Sequence, residues 1–444
     1  MQPGKQGKSP LEGPKVNQKF STALDELVSV AKRGHDKESE FFNPTDDWIT
    51  SQIRIFQDLP DKQRESLLQD VRELEKEAHQ LNSEGKAAPK VWPDSAVRLD
   101  SGGVAFFSQL GVARRPDLTQ YFIDGFNRNR DALAFDEANQ DLFADIIPMI
   151  TKYLETSIST GNRIIQTDRQ IGDVPGKSFH ARQLLFGTQY PQLPYMWRQL
   201  TFPLPKSELQ TPPDILEVSI PNWLVDLPIP SNVRERVIAS GLERLVFKAP
   251  TKGLSLHLGF DYMGEHKMGP LSIAMFKVKE ANGLALQAAL SMAHVKTINN
   301  TLSKTAIITT GPSLHGKSTL TVMLEFAKDG VSKLVGLDLD PNEGVYPMND
   351  DIILLQPRVG ETIPYGIYGT ENSFYAVPFG LTKEDDPITY DVLRGTENSP
   401  NSQETLENVP INENGTHNAT PDFMSNPVRN MRMVLSRSGL LKRK

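Results

Sequence analysis

The chain has 444 residues, of which 38% are hydrophobic and 23% charged, a net charge of −7 and no cysteine. That length leaves room for two or three globular domains, and the missing cysteines exclude disulfides, thiolate metal sites and cysteine nucleophiles. The acidic balance argues against a dedicated nucleic-acid binder. No run approaches the roughly 20 apolar residues of a membrane span, and the first residues lack a signal peptide's apolar core, so a cytoplasmic protein with no membrane partner is expected.

Residues 1–20, with four lysines, three glycines and three prolines, predict a disordered tail. A helical extension follows over 21–95. Residues 22–32 carry Leu24, Leu27, Val28 and Ala31 at helical spacing, and 48–81 carry Ile49, Ile53, Leu67, Val71 and Leu74, broken at Pro60. The Gly, Ala and Pro content of 83–93 predicts a linker. From 96 to 285 the texture is that of a mixed α/β lobe, with strands expected at 104–107, 215–220 and 254–260 and a helix at 141–153. A second lobe is expected over 286–444, with further strands at 333–339 and 351–355. The Asn, Thr, Glu and Pro content of 395–426 predicts a flexible insertion.

Within that second lobe, residues 305–310 are β-prone and 318–328 read as a helix, so Gly311 to Ser318 is a strand-to-helix turn. The turn fits Gly-x-x-x-x-Gly-Lys-Ser/Thr, through Gly311, Gly316, Lys317 and Ser318. Glycines let the backbone N–H groups face one anion, and the helix N-terminus adds partial positive charge. Nucleotide phosphate is therefore expected along Gly311, Ser313, His315, Gly316, Lys317, Ser318 and Thr319, with Lys317 on the β/γ-phosphates and Ser318 on the metal. An ordinary Gly-rich turn is the competing reading.

Upstream lies Asp261-Tyr262-Met263-Gly264-Glu265-His266-Lys267-Met268-Gly269, then Leu290-Ser291-Met292-Ala293-His294. Downstream come Gly366-Ile367-Tyr368-Gly369-Thr370-Glu371-Asn372-Ser373-Phe374-Tyr375-Ala376, Leu381-Thr382-Lys383-Glu384, Pro387-Ile388-Thr389-Tyr390-Asp391 and Asn430-Met431-Arg432. In this order, and with the P-loop, they resemble the phosphoenolpyruvate carboxykinases over about residues 255–435. The resemblance implies an α/β P-loop lobe of that family's type. It implies ATP or GTP and Mg²⁺ or Mn²⁺ as cofactors, and phosphoryl transfer between the nucleotide and a small carboxylate, with oxaloacetate and phosphoenolpyruvate the nearest guess. Lys267, Lys317, Arg432 and Tyr262 would be catalytic, and Ser318, His294, Asp350 and Asp351 would hold the metal.

Departures accompany the likeness. The family's second lysine, a metal ligand, is Met268 here, and a thioether is a poor donor for Mg²⁺ or Mn²⁺. His294 reaches the family's histidine position only after a one-residue shift, and His266 is a candidate to compensate. Asp338 and Asp340 compete with Asp350 and Asp351, which keep the family's paired form. Arg163 is a faint echo of the substrate arginine. The sequence also stops where the family continues into its adenine pocket, so weak discrimination between ATP and GTP is expected. Taken singly, the charges around Tyr262 also read as a solvated strand edge, His294 as a core histidine and Arg432 as a surface ion-pair partner. A non-catalytic or regulatory nucleotide-binding module, and a kinase of the same fold with another substrate, remain alternative functions.

Overall fold

The computed structural model describes residues 17–67, 96–98, 104–107, 119–124, 132–135, 137–161, 164–311, 342–377, 405–409 and 432–438, with isolated positions such as Lys317 and Thr321 between them. The expected strand at 333–339, Arg163, Asp338 and Asp340 lie outside these. Among the described residues no helix is long and apolar enough to cross a membrane.

The architecture is mixed α/β. Among the described residues the largest sheet has eight strands in the spatial order Leu133–Ala134, Gln120–Ile123, Leu245–Ala249, Leu254–Leu258, Ile215–Ile220, Phe179–Phe186, Ile164–Ile171 and Phe202–Pro203, with parallel and antiparallel pairs. The central strands are buried on both faces, because successive side chains point to opposite sides and helices cover both. Leu216, Val218, Ile220, Leu254 and Leu256 join the core beneath the Gln18–Arg33 and Glu137–Thr160 helices. Ile171, Leu185 and Ile215 join the opposite core with Trp197 and Leu200 of the Gln192–Leu200 helix and Met263 and Ile273 of the Met263–Glu280 helix.

Two smaller sheets flank this layer. One runs Ala96–Arg98, Val104–Phe107, Thr405–Val409, Arg432–Ser436 and Ser373–Ala376, so its strands come from both sides of residue 285. The other runs Leu302–Thr310, Leu284–Lys296, Ile352–Pro357 and Tyr365–Gly369, with Gly344–Asn349 also paired to the long Leu284–Lys296 strand. The strand leading into Gly311 is thus the outer arm of an antiparallel hairpin, and much of it is exposed.

Candidate functional site

The site is built at a break in the last sheet. Along Leu284–Lys296, Leu290 pairs with Asn349 and Gln287 with Ile352, which leaves Asp350 and Asp351 at the corner between the two partner strands. Asn349 fixes that corner. Its amide nitrogen donates to the carbonyl of Ile352 at 2.8 Å, and its amide oxygen accepts from the backbone N–H groups of Thr370 at 3.0 Å and Glu371 at 3.1 Å. The Thr370 hydroxyl donates to the same Ile352 carbonyl at 2.9 Å. One buried amide therefore ties the Asp350-Asp351 corner to Glu371.

The Met263–Glu280 helix brings the opposing charge. Tyr262 stands at its N-cap, buried with Val246 and Phe260, so the competing reading of this stretch as a solvated strand edge gives way to an enclosed helix start. Lys267, 3% exposed, places its ammonium 2.8 Å from Asp351 Oδ2, 2.8 Å from Glu371 Oε1 and 5.1 Å from the centre of the Tyr375 ring. Burial alone would lower the lysine pKa, but Asp351, Glu371 and Asp350 outweigh it and hold the ammonium firmly protonated. Burial pushes the Asp351 carboxyl up, and the Lys267 charge and hydrogen bond reverse the shift to below the ordinary range, helped by Lys317. Glu371 shares its lysine with two aspartates, and burial together with their charges raises it to about 8.

Lys317 is buried, in a helical turn where the Thr321 hydroxyl donates to its carbonyl at 2.8 Å. It lies near enough to Asp351 for its charge to act there. Gly311 ends the exposed hairpin arm, while Ser313, His315, Gly316, Ser318 and Thr319 lie outside the described residues.

A second group adjoins through Tyr375. Its hydroxyl donates to Glu407 Oε1, and the backbone N–H of Met263 donates to Glu407 Oε2 at 3.2 Å. Arg432, 4% exposed, is the cross-strand partner of Glu407. Burial raises Glu407 to about 7 against the lowering effects of Tyr375, Met263 and Arg432. The folded chain thus holds this proton up to about pH 7, whereas the unfolded chain releases it in the ordinary glutamate range. The associated stability is fully present below about pH 4.3 and is lost as the pH rises to about 7, amounting to roughly 3 kcal/mol. Glu407→Gln should flatten that slope, as followed by urea unfolding at pH 5 and 7.5. Parallel profiles for the two proteins would refute the assignment.

Three residues are placed differently from expectation. His294 lies four residues along its strand from Leu290, the cross-strand partner of Asn349 beside Asp350, which is about 13 Å at the usual rise per residue. Its ring instead packs at 4.7 Å from that of Tyr346, so it is not brought to the Asp350-Asp351 corner. His266 turns toward the large sheet, where its Nε2 meets the Ser219 hydroxyl at 2.7 Å. Met268 packs against the apolar cluster that includes Trp197, Ile215 and Leu271. A lysine at 268 would direct its charge toward that cluster. Met268→Lys is expected to lower stability by about 1–3 kcal/mol and leave metal affinity unchanged, as read by urea titration and calorimetry.

Three participants escaped the sequence reading. Glu371 and Tyr375 stand inside a quoted motif but carried no assigned role. Glu407 falls in the segment read as a flexible insertion, and its only signal was the short β-prone run Thr405-Leu406-Glu407-Asn408-Val409.

The cluster joins two cations, Lys267 and Lys317, to the carboxylates of Asp350, Asp351 and Glu371. Oxygen donors of this kind suit a hard divalent cation, but among the described residues the group of three His, Asp or Glu whose ligand atoms lie within 4.8 Å of one another is Glu217, His257 and His266, not this cluster. No protein-family model matches the chain, and no curated protein matches it either.

Proposed function

We propose that the chain is a phosphoenolpyruvate-carboxykinase-like P-loop protein. In this reading it binds ATP or GTP with Mg²⁺ or Mn²⁺ and moves a phosphoryl group between the nucleotide and a small carboxylate or its enolate. The observation that carries the reading is the convergence on Lys267. Its ammonium lies 2.8 Å from both Asp351 and Glu371, and Lys317 acts on the same Asp351, although these residues come from four separate stretches of sequence. Phosphoryl transfer needs positioned positive charge more than covalent help. Lys317 would hold the β/γ-phosphates, Lys267 and Arg432 would neutralise charge as it moves, and Tyr262 would contact the carboxylate. A divalent cation on Asp350, Asp351 and Ser318 would neutralise phosphate oxygens.

The test is calorimetric titration of the full chain with each nucleoside triphosphate and Mn²⁺, followed by assay for phosphoenolpyruvate formed from oxaloacetate. Binding with turnover supports the enzyme. No binding of either nucleotide removes the whole reading.

A second reading, a non-catalytic nucleotide-binding module, is favoured by the placement of Met268 in apolar packing and of His294 away from the Asp350-Asp351 corner. The lysine position at 268 and the histidine position at 294 then supply no metal ligand. Tight nucleotide binding without turnover of any carboxylate selects it.

A further inference from the structure

A polar layer lies between the large sheet and the Met263–Glu280 helix, apart from the Lys267 cluster. Gln183, Glu217 and Ser255 are cross-strand neighbours in one row, and Ser219 and His257 in the next. All five are buried, and His266 enters from the helix above. Gly269 permits this seating. A Cβ there would lie 2.4 Å from His257 Nε2 and 2.5 Å from the Ser255 hydroxyl.

We propose that Glu217, His257 and His266 bind one transition-metal dication, with zinc the ion best suited to a carboxylate and two imidazoles. One ligand atom from each lies within 4.8 Å of the others, and all three residues are 0% exposed. His257 Nε2 and Glu217 Oε1 stand 3.7 Å apart. Zinc with donors at about 2.0–2.1 Å sets tetrahedral donors about 3.3 Å from one another, so this pair is nearly at its final separation. The His257 and His266 rings now stack with centroids 4.8 Å apart and 25° between their planes, so zinc requires one ring to rotate until both nitrogens face the ion.

The surroundings prepare the donors. His266 Nδ1 is 2.8 Å from the carbonyl of Tyr262, a contact only an N–H can make, so its Nε2 carries a lone pair. Gln183 donates to Glu217 Oε2 at 3.0 Å, while Glu217 Oε1 has no hydrogen-bond partner. A buried oxygen left this way is costly, and a cation satisfies it. The hydroxyl of Ser219 or Ser255, each now 2.7 Å from a histidine Nε2, is in reach as the fourth donor.

The experiment uses the full chain without a histidine tag, stripped by chelator and given Zn²⁺ or Co²⁺. One equivalent of zinc should survive gel filtration, Tm should rise by several degrees, and Co²⁺ should give the visible absorption of a low-coordinate imidazole site. Glu217→Gln and His257→Gln should each lower the retained metal at least tenfold, while Lys317→Ala and Asp351→Asn keep it. The proposal is overturned if the folded wild-type chain retains no zinc and shows no cobalt band. It is equally overturned if Asp351→Asn alone releases the ion, which would assign it to the Lys267 cluster. Should the Glu217 or His257 variants fail to fold, the wild-type cobalt spectrum decides, since a weak octahedral band would indicate oxygen ligands elsewhere.

Discussion

Lys267→Met is expected to lower the unfolding free energy by about 3–5 kcal/mol, because the buried carboxylates of Asp350, Asp351 and Glu371 lose the cation they share. Methionine nearly matches the volume of the lysine stem, so little of the loss can be assigned to packing. The charge assignment makes a further demand. Mn²⁺ at millimolar concentration should restore part of the stability in the variant, since a dication can take the place of the ammonium among those oxygens, and restore less in the wild type. Urea titration with and without the ion measures both. A loss below about 1 kcal/mol, insensitive to Mn²⁺, would mean that the carboxylates are protonated or solvated in the folded chain, and that Lys267 does not organise them.

Lys317→Ala is expected to weaken nucleoside triphosphate binding by about ten- to a hundredfold, the value of one charge-assisted phosphate contact of about 1.5–3 kcal/mol. The Lys317 charge also acts on Asp351, so urea unfolding of the variant accompanies the binding measurement and separates a loss of fold from a loss of phosphate contact. Its effect on affinity should also be larger for the triphosphate than for the monophosphate, since the lysine is assigned to the β/γ-phosphates. Calorimetry on the folded variant provides the measurement. Equal affinities for the two proteins would remove Lys317 from phosphate binding, whatever the fate of the fold.

The sheet strands at 215–220 and 254–258 are legible because apolar residues recur on one face and the opposite face is also largely enclosed. Lys267, Asp351 and Arg432 are legible from short motifs, as residue types in a recognisable order. Their meeting is not, because it depends on Asn349, an ordinary asparagine whose amide joins the Asp350-Asp351 corner to Glu371 only after two strands have paired. Glu407 is hidden by the polar composition around it. The polar layer under the helix is hidden for another reason: Leu216, Glu217, Val218 and Ser219 alternate like a strand with one wet face, and only the covering helix makes that face dry.

That layer has a consequence for how the helix is held. Apolar packing tolerates small rolls of a helix about its own axis, whereas hydrogen bonds are directional and do not. The contact between His266 and Ser219 sets the rotational phase of the Met263–Glu280 helix against the sheet. Neighbouring residues on a helix point about 100° apart. With His266 turned down into the sheet, Lys267 is aimed sideways at Asp351 and Glu371, and a roll of one residue would exchange a neutral ring for an ammonium in a closed layer. The buried histidine therefore works as a keyway, giving up some apolar contact to fix the single orientation in which the lysine meets its carboxylates.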